Sequence, residues 1–469
     1  MSSNQTNLHP TIPLMERKLL TLALFGACLT SFAQTDPVVT NWLINTTGIM
    51  GQHYVAGNPT PIQDNVLANV QAVQYSNNWA YVSTHGIPAY ITGPFQDGNP
   101  SIATDQSAIY RFPRVPVQNT GTPTATTGGN IGVFINGVSL FDYRDGVAWS
   151  GTALCGGPGN PPCPGGMGAT QTWNRDAIPA ERPGFDCAKA HPAMGNYHHH
   201  QNPSAFNLDL AVISNVCDLY PADGLYVIDA GQHSPLIGYA YDGFPIYGAF
   251  GFANTDGTGG IERMRSSYQL GSTPDRTTLP SGATATPVGP TFAQYARGYF
   301  REDFEFVSHV EPYYLDEHNG RFCVTPEYPD GTYAYFCTVD ENWNSAYPYV
   351  VGPTFYGVRT ASKVTSITEP VETYDPLSTG VVNLEDGSVS VSVFPNPAVD
   401  LVAIQVSGIL RGDLQVSLVD RVGRTVRQTV IVQGSTIWHL DTRTLHDGEY
   451  IVRIGNGDQV LTKRVEVIH

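Results

Sequence analysis

From Trp42 to about Phe355 the chain repeats one pattern. Short runs of β-branched and aromatic residues are each stopped within a few positions by Gly, Pro, Asn or Asp, as in Trp79-Ala-Tyr-Val-Ser, Ile131-Gly-Val-Phe-Ile and Leu225-Tyr-Val-Ile. Runs of this kind read as strands joined by turns, because branched and aromatic side chains suit a pleated surface while Gly, Pro, Asn and Asp supply turn conformations. The composition points the same way. Gly (48), Pro (35) and Tyr (25) take the place of charged residues, which make up 14% of the chain, against about a quarter in an average protein. This mix argues against a helical bundle. Asn136-Gly137, between Gly132-Val-Phe-Ile and Val-Ser-Leu-Phe, predicts a hairpin. Residues 119–130 and 254–260 read as loops. One helix is expected over 291–300, where Phe292, Tyr295 and Tyr299 recur at three and four residues.

At 469 residues the chain calls for two or three domains. Arg17 and Lys18 precede an apolar run, Leu19 to Leu29, and Ser31-Phe32-Ala33 offers small residues before Gln34. This is the pattern of an export signal over residues 1–33, with Met15 as the expected start. The run is short for a bilayer span, and no later segment is apolar enough to cross one, so no transmembrane segment is expected in the mature protein. A β-rich body is expected over 35–356. Residues 357–388, poor in aromatics and rich in Ser, Thr, Val, Glu and Pro, read as a linker. The last unit, 389–469, holds about seven short alternating stretches, among them Val389/Val391/Val393 and Tyr450-Ile-Val-Arg-Ile. It predicts a small immunoglobulin-like β-sandwich. The fold class is therefore mainly β: a large β-rich domain followed by a small sandwich.

Formal charge is −17, which disfavours nucleic acid, whose phosphates need clustered cations. Beyond the signal segment six cysteines remain, at 155, 163, 187, 217, 323 and 337. An even count in an exported chain reads as disulfides. A three-residue turn, Pro329-Asp-Gly331, centred on Asp330, would set Cys323 and Cys337 directly opposite one another, within bonding reach. Cys155–Cys163 would then close a Gly/Pro loop, and Cys187–Cys217 would brace the segment from Phe185 to His200.

That segment carries the chemistry. Read as a short strand, Tyr197 to His200 points His198 and His200 to one face and Tyr197 and His199 to the other. Two imidazoles on one face can converge on one metal ion; the alternative is a polar loop whose histidines sit in water. Asp186, Asp242 and Asp316 are candidate acceptors for the second ring nitrogen, or hard ligands. Asp242, Asp316, Glu317 and Glu327 also offer paired acids of the kind that hydrolyse glycosides. Ser234 lacks a nucleophile elbow.

Two resemblances follow from longer motifs. Val393-Phe-Pro-Asn-Pro-Ala-Val-Asp400, Val419-Asp-Arg-Val-Gly-Arg-Thr-Val426 and Leu440-Asp-Thr-Arg-Thr-Leu-His-Asp-Gly-Glu-Tyr-Ile-Val-Arg-Ile454 resemble the type A C-terminal sorting domain of type IX secretion. This resemblance implies export across the outer membrane of a Bacteroidetes-type bacterium, with the secretion machinery as partner and a secreted or outer-surface location. The body resembles the YHYH family through Tyr75-Ser-Asn-Asn-Trp-Ala-Tyr-Val, Ile131-Gly-Val-Phe-Ile-Asn-Gly-Val, Asp186 to His200, His233-Ser-Pro-Leu-Ile-Gly-Tyr-Ala-Tyr-Asp-Gly-Phe-Pro-Ile-Tyr-Gly248 and the segment Leu315 to Phe336. The name-giving Tyr-His-Tyr-His is here Tyr197-His198-His199-His200, so the departure falls on the face away from His198 and His200. His318 stands where a cysteine is often found. His191 and His233, each in a signature segment, join His198 and His200 as candidate ligands for copper or zinc. An extracellular adhesion or glycan-binding module with structural histidines is the competing reading, with a glycoside-acting enzyme behind it.

Overall fold

Strand-forming runs and turn residues assemble as β-structure throughout. The computed structural model describes Met1 and residues 36–469, apart from 97–101, 158, 164–170, 210–214, 375–388, 409–413, 422–423, 432–436 and 456–459. The expected export signal, 1–33, lies outside the described residues except for Met1. Among the described residues no helix is long and apolar enough to cross a membrane.

One sheet carries the candidate site. Its strands are β1 (Asn130–Phe134), β2 (Ser139–Phe141), β3 (Ala190–Ala193), β4 (Asn196–His199), β5 (Leu236–Ala240), β6 (Pro245–Tyr247), β7 (Gly320–Thr325) and β8 (Tyr328–Phe336). They lie in the order β3-β4-β2-β1-β5-β6-β8-β7. The pairs β4–β2 and β6–β8 are parallel and the others antiparallel. β1 and β2 form the hairpin expected at Asn136-Gly137. Gly137 takes φ 80°, and a Cβ there would lie 2.1 Å from Thr84 Oγ1, so only glycine fits.

A second sheet has the order Ser362–Val364, Ala108–Pro113, Trp79–Thr84, Val70–Tyr75, Glu372–Tyr374. Its inward residues Val73, Val82, Tyr110 and Phe112 share one core with Val133, Tyr239 and Ile246 of the first. Trp42 sits in that core with its ring 5.5 Å from Phe112 and 5.4 Å from Tyr239.

Both edge strands of the second sheet come from the stretch read as a linker. Ser362–Val364 pairs with Ala108–Pro113 and Glu372–Tyr374 with Val70–Tyr75, while Glu369 accepts hydrogen bonds from Tyr81 and Ser76. The body therefore extends through Tyr374. Composition failed here because an edge strand two or three residues long needs little apolar surface when its partner supplies the ladder.

Two other local expectations are corrected. Cys323 and Cys337 are buried free thiols, whereas Cys155–Cys163 and Cys187–Cys217 are bonded. The β7–β8 hairpin turns at Pro326-Glu327, with Thr325 facing Tyr328, and Cys323 faces Thr332. Gly331 does take a positive φ, 88°, but within a bulge of β8, so Cys337 lies five positions beyond the residue opposite Cys323. Residues 291–300 form turns instead of a helix. The carbonyls of Pro290, Tyr295 and Ala296 bond to the buried guanidinium of Arg276, itself held by both oxygens of Asp303. Carbonyls engaged by a guanidinium cannot all serve a helical ladder.

The scarcity of Lys and Arg has a structural counterpart, because five buried or half-buried acids are met by tyrosines. Tyr O–H groups donate to Asp176, Asp186, Asp242, Asp316 and Glu327 from Tyr349 (2.7 Å), Tyr197 (2.9 Å), Tyr335 (2.6 Å), Tyr333 (2.8 Å) and Tyr247 (2.8 Å). This satisfies a buried carboxyl without bringing a second charge out of water.

The C-terminal part forms the seven strands expected. Val389–Phe394, Leu401–Gly408 and Ile437–Asp441 make one sheet, and Thr425–Ile431, Leu414–Val419, Gly448–Gly455 and Val460–Val467 the other. Alternating residues Val402, Ile404, Val416, Leu418, Val452, Ile454 and Val465 fill its core.

Candidate metal centre

The site begins with a turn. Met194 and Gly195 link β3 to β4 with φ 49° and 81°. Positive φ at both central residues is the hairpin turn whose twist matches antiparallel strands. It sets Ala193 opposite Asn196 and His191 directly opposite His198. Side chains at such a pair start about 5 Å apart at Cβ. His200 follows the end of β4 on the face of His198.

The opposite face holds Tyr197 and His199. Tyr197 donates to Asp186, and His199 Nε2 lies 2.8 Å from the Tyr90 hydroxyl with its ring edge-on to Phe134. The alternation expected from sequence therefore holds. Burial pushes His199 down to about 3.

The run into β3 is clamped. Asp186 accepts from the backbone N–H groups of Gly93 (2.8 Å), Ala188 (3.0 Å) and Ala190 (3.2 Å) as well as from Tyr197. Cys187 beside it is bonded to Cys217. Lys189 is fully buried, with Nζ 2.6 Å from Asp209.

These constraints bring His191, His198 and His200 together, all buried, with one ligand atom of each within 4.8 Å of the others. His198 Nδ1 lies 2.8 Å from the carbonyl of Asn196, and His200 Nδ1 lies 2.7 Å from the carbonyl of Asp142. A carbonyl only accepts, so each Nδ1 carries its ring's proton and each neutral ring presents a lone pair at Nε2. The two Nε2 atoms are 3.1 Å apart. Burial, then the neighbouring histidines, pushes His198 well below the ordinary histidine value, and burial also lowers His200. Phe141 stacks on His198 at 3.9 Å, and Phe185 meets His191 edge-on at 4.9 Å.

A carboxylate that the sequence did not single out joins them. The short helix α1 (Ala177–Glu181), capped by Asp176, delivers Glu181. Its Oε2 lies 3.3 Å from His191 Nε2 and 3.5 Å from His200 Nε2. Burial pushes this carboxyl up, but the hydrogen bond with His191 and the charge of His200 outweigh it and hold the group below its usual range. No periodicity links Glu181 to a strand beginning nine residues later. The pairing of His191 with His198 was readable, since a two-residue turn at Met194-Gly195 implies it.

His233 is placed elsewhere. Its Nδ1 lies 2.8 Å from the carbonyl of Ser234 and its ring packs among Tyr247, Phe252 and Phe336. Among the described residues the cluster that could hold a metal does not include it. Asp186 acts as a backbone clamp. Asp242 accepts from Tyr335, Phe244 N–H and Gly357 N–H, and Asp316 from Tyr333, His318 N–H and Gly320 N–H. His53, His85 and His469 pair with Asp64, Asp105 and Asp447.

Fold and site together define a two-part β protein: a body built mainly on an eight-stranded and a five-stranded sheet, with a buried three-histidine cluster on the larger one, then a seven-stranded sandwich. Residues 109–348, about half the chain, match the family model for YHYH proteins, and the chain belongs to the YHYH family. Residues 392–468 match the secretion system C-terminal sorting domain. That domain marks the protein for type IX export to the cell surface or extracellular space. A search of curated proteins finds no match to the chain.

Proposed function

We propose that the body of this exported protein binds a transition-metal ion, copper or zinc, through His191, His198 and His200. One observation carries the reading. Two imidazoles whose Nδ1 protons are committed to backbone carbonyls face each other Nε2 to Nε2 at 3.1 Å. Two lone pairs at that distance repel unless a cation lies between them. A proton is the poorer cation here, because burial disfavours charging either ring. Imidazole donors suit zinc, copper, nickel and iron, and the backbone carbonyls fix ring orientation as outer partners of metal ligands do.

The test is the metal content of the full chain after expression with metal supplied, compared with a His198→Ala, His200→Ala double variant. Stoichiometric metal that the double variant loses supports the reading. Metal content that is substoichiometric and the same in both proteins overturns it.

A further inference from the structure

We infer that Glu181 is the fourth ligand of this site, making its donor set three imidazole nitrogens and one carboxylate oxygen. The inference rests on the metal reading above and extends it to a residue outside the histidine motif. Glu181 Oε2 is buried, and what it meets is imidazole nitrogen; a buried carboxylate oxygen is costly unless a cation is close to it. The atoms it does face are Nε2 of His191 and Nε2 of His200, at 3.3 and 3.5 Å, while the two facing imidazoles stand 3.1 Å apart. Ligands on a tetrahedral ion with bonds of about 2.0–2.1 Å are about 3.3 Å from one another; these three separations are close to that, while the three imidazole donors as a group lie within 4.8 Å of one another, so the set would have to draw together around an ion. A carboxylate acting only through a bridging water would stand farther from the ring nitrogens.

The charges nearby lead to the same residue. Asp142 is engaged by Arg144 at 2.7 Å, Asp145 by Arg175, and Asp209 by Lys189 at 2.6 Å. A divalent ion held by three neutral imidazoles would bring two positive charges into a buried site; Asp176 and Asp186 are engaged by tyrosine hydroxyls and backbone N–H groups, whereas Glu181 faces two of the imidazoles. No sulfur belongs to the cluster, so its donors suit a divalent ion better than copper(I). The Glu181 side chain is 22% exposed, against 3% for His200 and 10% for His191. Glu181 thus closes the side of the site that faces solvent.

The experiment compares the full chain with Glu181→Gln and Glu181→Ala, using Zn²⁺ affinity by chelator competition and the visible absorption of bound Co²⁺. Glutamine keeps the size of the side chain, and thermal melts of the metal-free proteins check the fold. Expected are Zn²⁺ affinity weakened by at least ~10-fold and an altered Co²⁺ spectrum in both variants. Wild-type affinity with an unchanged Co²⁺ spectrum in both overturns the assignment while leaving the three histidines in place. Loss of binding in the histidine double variant but not in the Glu181 variants separates the two readings, and a wild-type chain that binds neither ion overturns both.

Discussion

Asp186 is the residue on which the geometry of the histidine hairpin depends most, and its replacement by asparagine gives a quantitative expectation. The carboxylate accepts four hydrogen bonds, from Gly93 N–H and Tyr197 O–H on Oδ2 and from Ala188 and Ala190 N–H on Oδ1. Burial pushes this group up to about 7, and the hydrogen-bond donors pull it back, so at about pH 8 it is mostly ionised. In Asp186→Asn an NH₂ faces one of the two donor pairs. Tyr197 can rotate its hydroxyl to accept, but Gly93 N–H on the same side cannot, and the remaining bonds lose their charge. One orphaned buried donor costs about 1–3 kcal/mol, and the weakened bonds together bring the expected loss to about 3–5 kcal/mol. In a chain of this size that is a fall in Tm on the order of 5–10 °C. The assay is thermal unfolding of the metal-free full chain at about pH 8, followed by near-UV circular dichroism. Because Ala190 starts the strand that carries His191, the same variant should bind Zn²⁺ more weakly. A Tm within about 1 °C of wild type, with unchanged Zn²⁺ affinity, would refute the clamp and the energetics derived from it.

Other expectations concern protons, thiols and chain ends. Asp145 and Asp186 are both raised to about 7, by burial first, above their unfolded value. The native state therefore holds more protons, and their contribution is full at low pH and lost as pH rises through about 7. The buried histidines run the other way: His198 and His200 are lowered and His233 is held at about 4, so their contribution fades as pH falls through about 6.5. From pH 8.5 to 6.5 each acid adds about 0.8 kcal/mol and each histidine removes about 0.4 kcal/mol, so chemical denaturation with chelator present should show a nearly flat profile in this window, and a change of several kcal/mol in either direction counts against these burials. Cys323 and Cys337 should titrate with a thiol reagent only after unfolding; their absence as free thiols in the denatured, unreduced protein would restore the pairing expected from sequence. A chain ending at residue 374 should keep the body's cooperative melt, whereas one ending at 356, lacking both edge strands of the second sheet, should melt several degrees lower. Equal melts would return 357–374 to the status of a linker.

Much of this molecule was readable because it is local. Strand runs and turn residues carry their own conformational preference, so the β class, the Asn136-Gly137 hairpin and the seven strands of the sorting domain follow from neighbours in sequence. Side-chain alternation is equally local, and it separated His198 and His200 from His199 without further information. The resemblance to the YHYH family rested on long motifs and holds.

What failed was decided over distance. Register across a bulge is set by what packs on the strand, so Pro329-Asp-Gly331 formed a bulge and left Cys323 and Cys337 unpaired. The apparent helix at 291–300 yielded its carbonyls to Arg276, whose place is set by Asp303. Two short strands past residue 356 exist because the second sheet has open edges for them. The site divides along the same line. The sequence by itself determined that His198 and His200 share a face, because two residues along a strand return a side chain to the same side. Only the tertiary structure decided that Asn196 and Asp142 carbonyls take their Nδ1 protons, that His233 belongs to an aromatic cluster elsewhere, and that a helix delivers Glu181 to the same point. Those are contacts between segments, and they depend on how the whole core closes.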